Sequence, residues 1–223
     1  MDAPVPGPRV ITRTSLARQL RSLQGDVLRM GSLVEKSCWL ARKAICDRDL
    51  AAAKEIAVQD KQIDRFYRQI ELNCVSTIAL QAPVTQDLRL ISALMQLVRD
   101  LERIGDYAKD LGEIAVKLFA YPPHKCMGKI QVMLDRTQAM LAMSLRALSD
   151  LDAQAGLEVK VKDDWVDSDY LIIYNELANQ KDLQGVVEQT MLLVLVIRHL
   201  ERMADHATNI GQRVAYIITG QRY

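Results

Sequence analysis

The chain has 223 residues and a formal net charge of +1, with 29 basic against 28 acidic side chains. Hydrophobic residues make up 49% and charged residues 26%, values that are typical of a globular protein and that exclude a collagen-like or wholly disordered chain. The balanced charge and the lack of a strongly basic run argue against a nucleic-acid partner.

The amino terminus, MDAPVPGPRV, is rich in proline and lacks the apolar core of a signal peptide, so residues 1–13 are predicted to form a disordered tail. The longest apolar run is seven residues, from Met191 to Ile197, whereas a membrane span needs about 20. The four cysteines show no C-x-x-C pairing, which favours reduced thiols and a cytoplasmic location.

Two helices are predicted before Pro83. Apolar residues in alternating steps of four and three mark a helix of about 30 residues that covers positions 16–44. Asp47 or Asp49 can cap the second helix, because a short acidic side chain accepts hydrogen bonds from the first free amides. The second helix must end before Pro83, since the residue that precedes a proline is disfavoured in the α region.

The third helix is predicted from Thr85, as a possible cap, to about Phe119, a length of roughly 50 Å. The segment Tyr121–Pro123 ends it and is the best boundary in the chain. Three more helices are then predicted at about 126–149, 153–178 and 183–219.

The second half of the chain repeats the first. Five acidic positions recur 103 residues later, as the pairs Asp47 and Asp150, Asp49 and Asp152, Glu55 and Glu158, Asp60 and Asp163, and Asp64 and Asp167. The third helices match at an offset of 99, with seven of fifteen positions identical between 99–113 and 198–212. The sequence therefore predicts an all-α fold of two tandem antiparallel three-helix bundles, with repeats at 14–121 and 122–223.

Each third helix carries polar side chains at steps of four residues, on the side away from its apolar seam. We call these sets the first and the second ladder, and their members are Glu102, Asp106 and Asp110, and Glu201, Asp205 and Asn209. Successive positions lie about 40° apart around the helix, so the ladders are expected to face solvent or a partner. Four of the seven identical positions lie off the apolar seam. A surface that needed only charge would not require the same residue at the same position of both repeats.

A bound cation would explain carboxylates that otherwise repel each other at steps of four residues. Successive carboxylates rise by about 6 Å, so neighbouring pairs can converge on one hard ion, and a full ladder needs more than one. A carboxylate-only site suits Mg, Mn, Ca or iron better than structural zinc. His199 and His206 flank the second ladder and are interpreted as surface or interface residues.

Two alternatives remain open. The ladders can be solvated charged faces, or faces of a helical adaptor that dock proteins without metal, with arginines three residues away as ion-pair partners. A carboxylate-bridged metalloenzyme is the least favoured, because a ferritin-like centre needs Glu-x-x-His pairs and neither ladder has one. No nucleophile set or phosphate-binding loop is visible either, so the sequence predicts a protein that is not an enzyme.

The motifs also carry a family resemblance. The run APVTQDLR at Ala82–Arg89, followed by RDLERIGDYA at Arg99–Ala108, resembles the first repeat of the PhoU family. The run RMADHATNI at Arg202–Ile210 resembles its second repeat.

The resemblance implies a two-repeat, six-helix cytoplasmic protein that represses the phosphate-starvation response and phosphate uptake in bacteria. It implies an adaptor between the ATPase of a phosphate ABC transporter and a sensor histidine kinase, and a homodimer. Some members of the family carry multinuclear metal clusters on such faces and others are metal-free, so the resemblance allows bound metal ions, with Mg, Mn, Fe or Zn as the candidates.

Carried over by motif, the expected metal ligands are Glu102, Asp106, Glu201 and Asp205. Asn209 matches the family, whereas Asp110 stands where the family usually has Asn, so the first site is expected to hold metal more tightly. Gly112 and Gly211 stand where the family commonly has Ala, and Gln212 replaces an expected Glu in the second site.

Overall fold

A computed structural model describes residues 13–180 and 187–223. In these ranges the chain forms six helices and no strand: α1 (Arg13–Cys46), α2 (Leu50–Gln81), α3 (Thr85–Leu118), α4 (Met127–Asp150), α5 (Ala153–Ala178) and α6 (Val187–Thr219). The all-α prediction is confirmed. The predicted tail lies outside the described residues except for Arg13, which begins α1, and so does the predicted start of the last helix at 183.

The helix caps show the duplication at atomic detail. The Asp49 carboxylate accepts hydrogen bonds from the backbone amides of Ala51 and Ala52, at 2.9 and 3.0 Å, and so begins α2. Asp152 begins α5 in the same way. The prediction of an aspartate cap after α1 is thus confirmed, with Asp49 as the cap.

The prediction that Thr85 caps α3 is wrong. Val84 holds the cap position in an extended conformation, and no side chain bonds to the amides there. The chain turns sharply after Pro83, and Thr85 takes a positive φ of 47° inside the first turn of the helix. Thr85 therefore lies one position past the place from which a capping side chain accepts hydrogen bonds from the amides that follow it.

The six helices pack in two layers. The larger layer has the order α2, α3, α6 and α5, because α3 and α6 pack against each other across the two repeats. The smaller layer is formed by α1 and α4, each of which covers the two other helices of its own repeat. The edges of the larger layer are therefore α2 from the first repeat and α5 from the second.

The apolar seams predicted from the sequence lie in the core between the layers. Leu97, Leu101, Ala108 and Leu111 of α3 and their counterparts in α6 are all fully buried. Burial of such side chains contributes roughly 25 cal/mol per Å² of apolar surface, so this core is the main source of stability. No helix in the described ranges is both long and apolar enough to cross a membrane.

Polar contacts join the two repeats at the α3–α6 contact. Asp100 of α3 is only 5% exposed and accepts a hydrogen bond from Arg213 of α6 at 2.7 Å. The other carboxylate oxygen of Asp100 lies 2.9 Å from Nδ1 of His206, also on α6. The buried carboxylate is therefore satisfied entirely by the opposite repeat, which fixes how α3 and α6 are aligned.

Candidate functional site

Two carboxylates of the first ladder lie beside two carboxylates of α2. Burial, then the carboxylates of Asp106 and Asp64, are among the causes that raise the pKa of Glu102. Burial and then Asp60 raise the pKa of Asp106. We call these four residues the first quartet: Asp60, Asp64, Glu102 and Asp106.

The first quartet has little basic compensation for its charge. Lys109 Nζ donates to Asp60 Oδ2 at 2.7 Å, in a contact that leaves the Asp60 side chain 10% exposed. Within ion-pair distance a single arginine, Arg103, serves both ladder residues, at 3.8 Å from Glu102 and 3.4 Å from Asp106, and Arg99 acts on Glu102 from farther away. The raised pKa values of Glu102 and Asp106 show that burial and mutual repulsion outweigh these cations.

The second repeat brings together the corresponding carboxylates of α5 and α6. Burial raises the pKa of Asp167, and the carboxylates of Asp163, Asp205 and Glu201 raise it further. The second quartet therefore consists of the residues at the matching positions: Asp163, Asp167, Glu201 and Asp205.

Basic side chains cover the second quartet more fully. Arg198 pairs with Glu201 and Arg202 pairs with Asp205 at 2.8 Å, so each ladder carboxylate has its own arginine. Lys160 Nζ lies 2.8 Å from Oδ2 of Asp163. The second quartet thus has the same carboxylates as the first but a different balance of charge around them.

One oxygen of the second quartet has no partner. Asp163 is 2% exposed, and its Oδ1 atom is buried without a hydrogen-bond partner among the described residues. An unsatisfied buried carboxylate oxygen is costly and asks for an explanation. A cation bound by the quartet would supply the missing contact, so this donor set fits a hard metal ion.

The third position of each ladder lies apart from its quartet. Asp110 contacts α6, with its Oδ2 atom 4.0 Å from Nε2 of His199. Asn209 lines a depression with Gln96 of α3 and with Gln212. Each step of four residues advances about 40° around the helix, so the third position turns away from the neighbouring edge helix and toward the centre of the layer.

The ladders are less exposed than the helical wheel predicts at their first positions. The side chains of Glu102 and Glu201 are 22% and 18% exposed, because α2 and α5 pack beside them. Exposure then rises to 36% at the second position of each ladder, Asp106 and Asp205, and to 49% at Asp110.

Both histidines that flank the second ladder lie in the contact between α3 and α6. The ring of Tyr107 lies between them, with ring centroids 5.4 Å from His199 and 5.9 Å from His206. Burial lowers the pKa of His199, although Asp110 acts in the opposite direction. Neither histidine points into a quartet, since their contacts are with α3.

Each quartet offers oxygen donors only, which favours Mg, Mn or iron over zinc. In their present rotamers the quartets contact lysine and arginine, and no three His, Cys, Asp or Glu side chains of the described ranges converge tightly enough to hold an ion. Binding would therefore require the carboxylates to turn from their basic partners toward a shared ion.

The sequence reasoning missed half of each quartet. In the sequence, Asp60 and Asp64, like Asp163 and Asp167, stand out only as part of the duplication. Their own spacing of four residues was the available signal, since it matches that of the ladders. It becomes meaningful only once the edge helix is known to pack beside the ladder.

Known proteins share both the motifs and the fold. Residues 27–115 and 130–214 match the family model described as the PhoU domain, one match within each predicted repeat. A protein of Synechocystis sp. named "Phosphate-specific transport system accessory protein PhoU homolog" is 57% identical over 210 residues, which cover 94% of each chain. A homolog of the same name from Clostridium acetobutylicum is 34% identical, over 95% of this chain and 98% of its own.

Solved structures agree with this assignment. The crystal structure of PhoU from Pseudomonas aeruginosa superposes with a TM-score of 0.89 at 31% identity, covering 92% of this chain and 99% of that one. The phosphate transport system regulatory protein PhoU from Streptococcus pneumoniae gives 0.86 at 27% identity, with 93% and 99% covered. With two matched domains, a relative at 57% identity and this fold, the chain belongs to the PhoU family.

Proposed function

We propose that this chain is a non-catalytic regulator of a phosphate-specific transport system. The relatives at 57% and 34% identity are named as accessory proteins of such systems, and their matches extend over nearly the whole chain. The chain would repress phosphate uptake and the phosphate-starvation response when phosphate is abundant. A cytoplasmic location is part of the proposal, because both proposed partners expose domains there.

The proposed mode of action is that of a metal-binding adaptor. Its targets would be the ATPase of the transporter and a sensor histidine kinase, and the chain would act as a homodimer. The observation that carries metal binding is the repetition of the quartet, with the same four acidic residues at matching positions of both repeats. Four oxygen donors per quartet, one of them the unsatisfied Oδ1 of Asp163, support a hard divalent ion or iron.

A second candidate is a metal-free adaptor that docks through the same acidic faces. The contacts of Lys109 with Asp60 and of Lys160 with Asp163, at 2.7 and 2.8 Å, favour it. Each neutralises a carboxylate that a metal would otherwise use. Both candidates share the regulatory role and differ only in what balances the charge of the quartets.

Elemental analysis of protein purified without chelator separates the two candidates. We expect iron, manganese or magnesium bound to the wild type and a reduced content when Asp64 and Asp167 are both changed to Asn. Glu158→Gln, which removes an exposed carboxylate outside the quartets, is the matched control. Wild-type protein that stays metal-free after dialysis against these ions would reject metal binding and leave the metal-free adaptor as the remaining candidate.

The regulatory role has its own test. Deletion of the gene should raise expression of a phosphate-starvation reporter in phosphate-rich medium. Unchanged repression after deletion, with no binding to either the ATPase or the kinase, would rule out the proposed function.

A further inference from the structure

A groove of about 360 Å³ runs between α1 and α4, on the smaller layer and away from both quartets. Glu35 and Trp39 of α1 form one wall, and Asp135 and Ala142 of α4 form the other. Gln138 bridges the two helices, because its side-chain amide donates to the backbone carbonyl of Cys38 at 2.8 Å. The short side chain of Ala142 adds little to its wall and leaves the groove open.

Glu35 brings an uncompensated charge into this groove. Its side chain is half-buried, and among the described residues it makes neither a hydrogen bond nor an ion pair. Burial alone raises its pKa. The neighbouring acid differs, since Asp135 already accepts a hydrogen bond from Arg42 at 2.6 Å. The one unmatched charge of the groove is therefore the negative charge of Glu35.

Trp39 is an exposed aromatic side chain one helical turn from Glu35. It is 51% exposed, and the only cation over its ring among the described residues is Lys43, 5.0 Å from the centroid. Aromatic faces attract cations, and the guanidinium of arginine stacks on them best. The wall formed by Glu35 and Trp39 thus combines a carboxylate acceptor with a stacking surface.

The second repeat does not carry this pair. The positions 103 residues later are Gln138 for Glu35 and Ala142 for Trp39, on a helix of the same fold and packing. A three-helix repeat therefore folds without the acid and without the indole. Because the pair is dispensable for the repeat, its presence on α1 needs another reason.

We propose that the α1–α4 groove docks a helix of a partner protein that places one arginine side chain against Glu35 and Trp39. The guanidinium would donate to the Glu35 carboxylate and stack on the indole of Trp39, while small side chains of the partner helix cross Ala142. A groove between two helices can contact a third helix along its length. A free small cation would contact only one wall of the groove. The groove chemistry stands alone, and only the identity of the partner rests on the proposed function.

A peptide titration tests the chemistry of the groove directly. The probe is an alanine- and glutamine-based helical peptide with one central arginine, and its control carries citrulline, which has the same shape and no charge. In a Trp165→Phe background, Trp39 is the only tryptophan and reports binding by its fluorescence. We expect a saturable change with the arginine peptide that weakens about tenfold or more with citrulline or in Glu35→Gln, since a charge-assisted pair contributes that much.

Equal responses to the two peptides, no saturation at millimolar arginine peptide, or a response untouched by Glu35→Gln would overturn the proposal. The proposed partners form the second arm, in which the transporter ATPase and the kinase's cytoplasmic portion are titrated against wild type, Glu35→Gln and the control Glu158→Gln. We expect Glu35→Gln alone to weaken one of them, about tenfold or more. Wild-type and Glu35→Gln protein binding both partners equally would remove the groove as their docking site.

A wild type that binds neither protein would count against the proposed function. The peptide titration would still test the groove in that case, so failure of the proposed function and failure of the groove proposal can be told apart.

Discussion

The two repeats use the same fold but meet their edge helices differently. In the second repeat, α5 crosses α6 at Gly156 and Gly211, whose backbones touch. In the first repeat the matching positions are Ala53 and Gly112, and the methyl-sized space beside Gly112 is filled by the side chain of Ile56. The second crossing is therefore made by backbone and the first by side chains, although their carboxylate quartets match.

The edges also differ in their outward faces. On α5 a row at steps of four and seven residues presents Val161, Trp165 and Ile172 to solvent. The matching row on α2 replaces the last two with Gln62 and Gln69. The quartets and caps remained the same after duplication while the outer surfaces diverged. The shared features thus mark what both repeats do, and the divergent ones mark where they can recognise different surfaces.

The largest expected effect comes from closing the glycine crossing. A Cβ atom on Gly211 would lie closer to the carbonyl oxygen of Gly156 than any real contact, so Gly211→Ala must push α5 and α6 apart. We expect a loss of about 3 kcal/mol in the free energy of unfolding. Urea denaturation measures it.

The comparison with the first repeat supplies the controls. At Gly112 the nearest atom to a new Cβ is the flexible Cδ1 of Ile56, at 3.0 Å, so Gly112→Ala should stay within about 1 kcal/mol of the wild type. Gly25→Ala meets nothing within 4 Å and should stabilise α1 slightly. Similar losses at Gly112 and Gly211 would contradict the difference between the crossings.

Metal removal should affect the two repeats unequally. Bound manganese or iron(II) at a hundredfold excess over Kd should stabilise the wild type by about 2.7 kcal/mol. Asp106→Asn and Asp205→Asn should each lower this gain, the first more, because one arginine serves two ladder carboxylates there. Melting curves with metal and with chelator measure the gain.

In chelator both variants should lie within about 0.5 kcal/mol of the wild type. Identical curves for all proteins in every condition would reject metal binding and favour the metal-free adaptor.

The pH dependence of Glu102→Gln is a smaller effect of defined sign. Burial, then repulsion by Asp106, raises the pKa of Glu102 in the folded protein, so the ionised carboxylate destabilises the fold at neutral pH. In chelator, Glu102→Gln should therefore stabilise by a few tenths of a kcal/mol at pH 7. The gain should vanish as the pH falls below the ordinary glutamate pKa, and a gain that grows on acidification would contradict it.

The smallest expected effect is that of Asp110→Asn. The sequence predicted that this extra acid tightens the first metal site, whereas the structure places it beside His199 and apart from the quartet. We now expect changes below about 0.5 kcal/mol with or without metal, measured by the same melting curves. A loss of metal-dependent stability equal to that of Asp106→Asn would return Asp110 to the site.

The fold was predictable because its signals are local. Each signal depends on residues within one or two helical turns: the heptad-like seams, the cap at Asp49 and the break at Pro83. The duplication then supplied the second repeat without further reasoning. The cap of α3 was predicted wrongly because it is not set locally: the backbone turn around Thr85 depends on how α2 and α3 approach each other.

The candidate site was only half predictable because it lies between helices. A helical wheel placed Glu102 and Asp106 on one face but could not show that Asp60 and Asp64 stand opposite them. The wheel also grouped Asp110 with them, although a rotation of about 80° from Glu102 turns it toward α6. Contacts across the repeats, such as that of Asp100 with Arg213, left no trace in either helix alone.

The contact of Asp100 with His206 and Arg213 has a consequence for how the molecule unfolds. If one repeat opened alone, Asp100 would remain on α3 without the two side chains that satisfy it, beside apolar surface that α6 had covered. A half-open molecule would therefore lose the helices of one repeat and would also leave Asp100 unsatisfied and apolar surface of α3 exposed to water. The two repeats are therefore expected to unfold together in one cooperative transition, and not as two independent units.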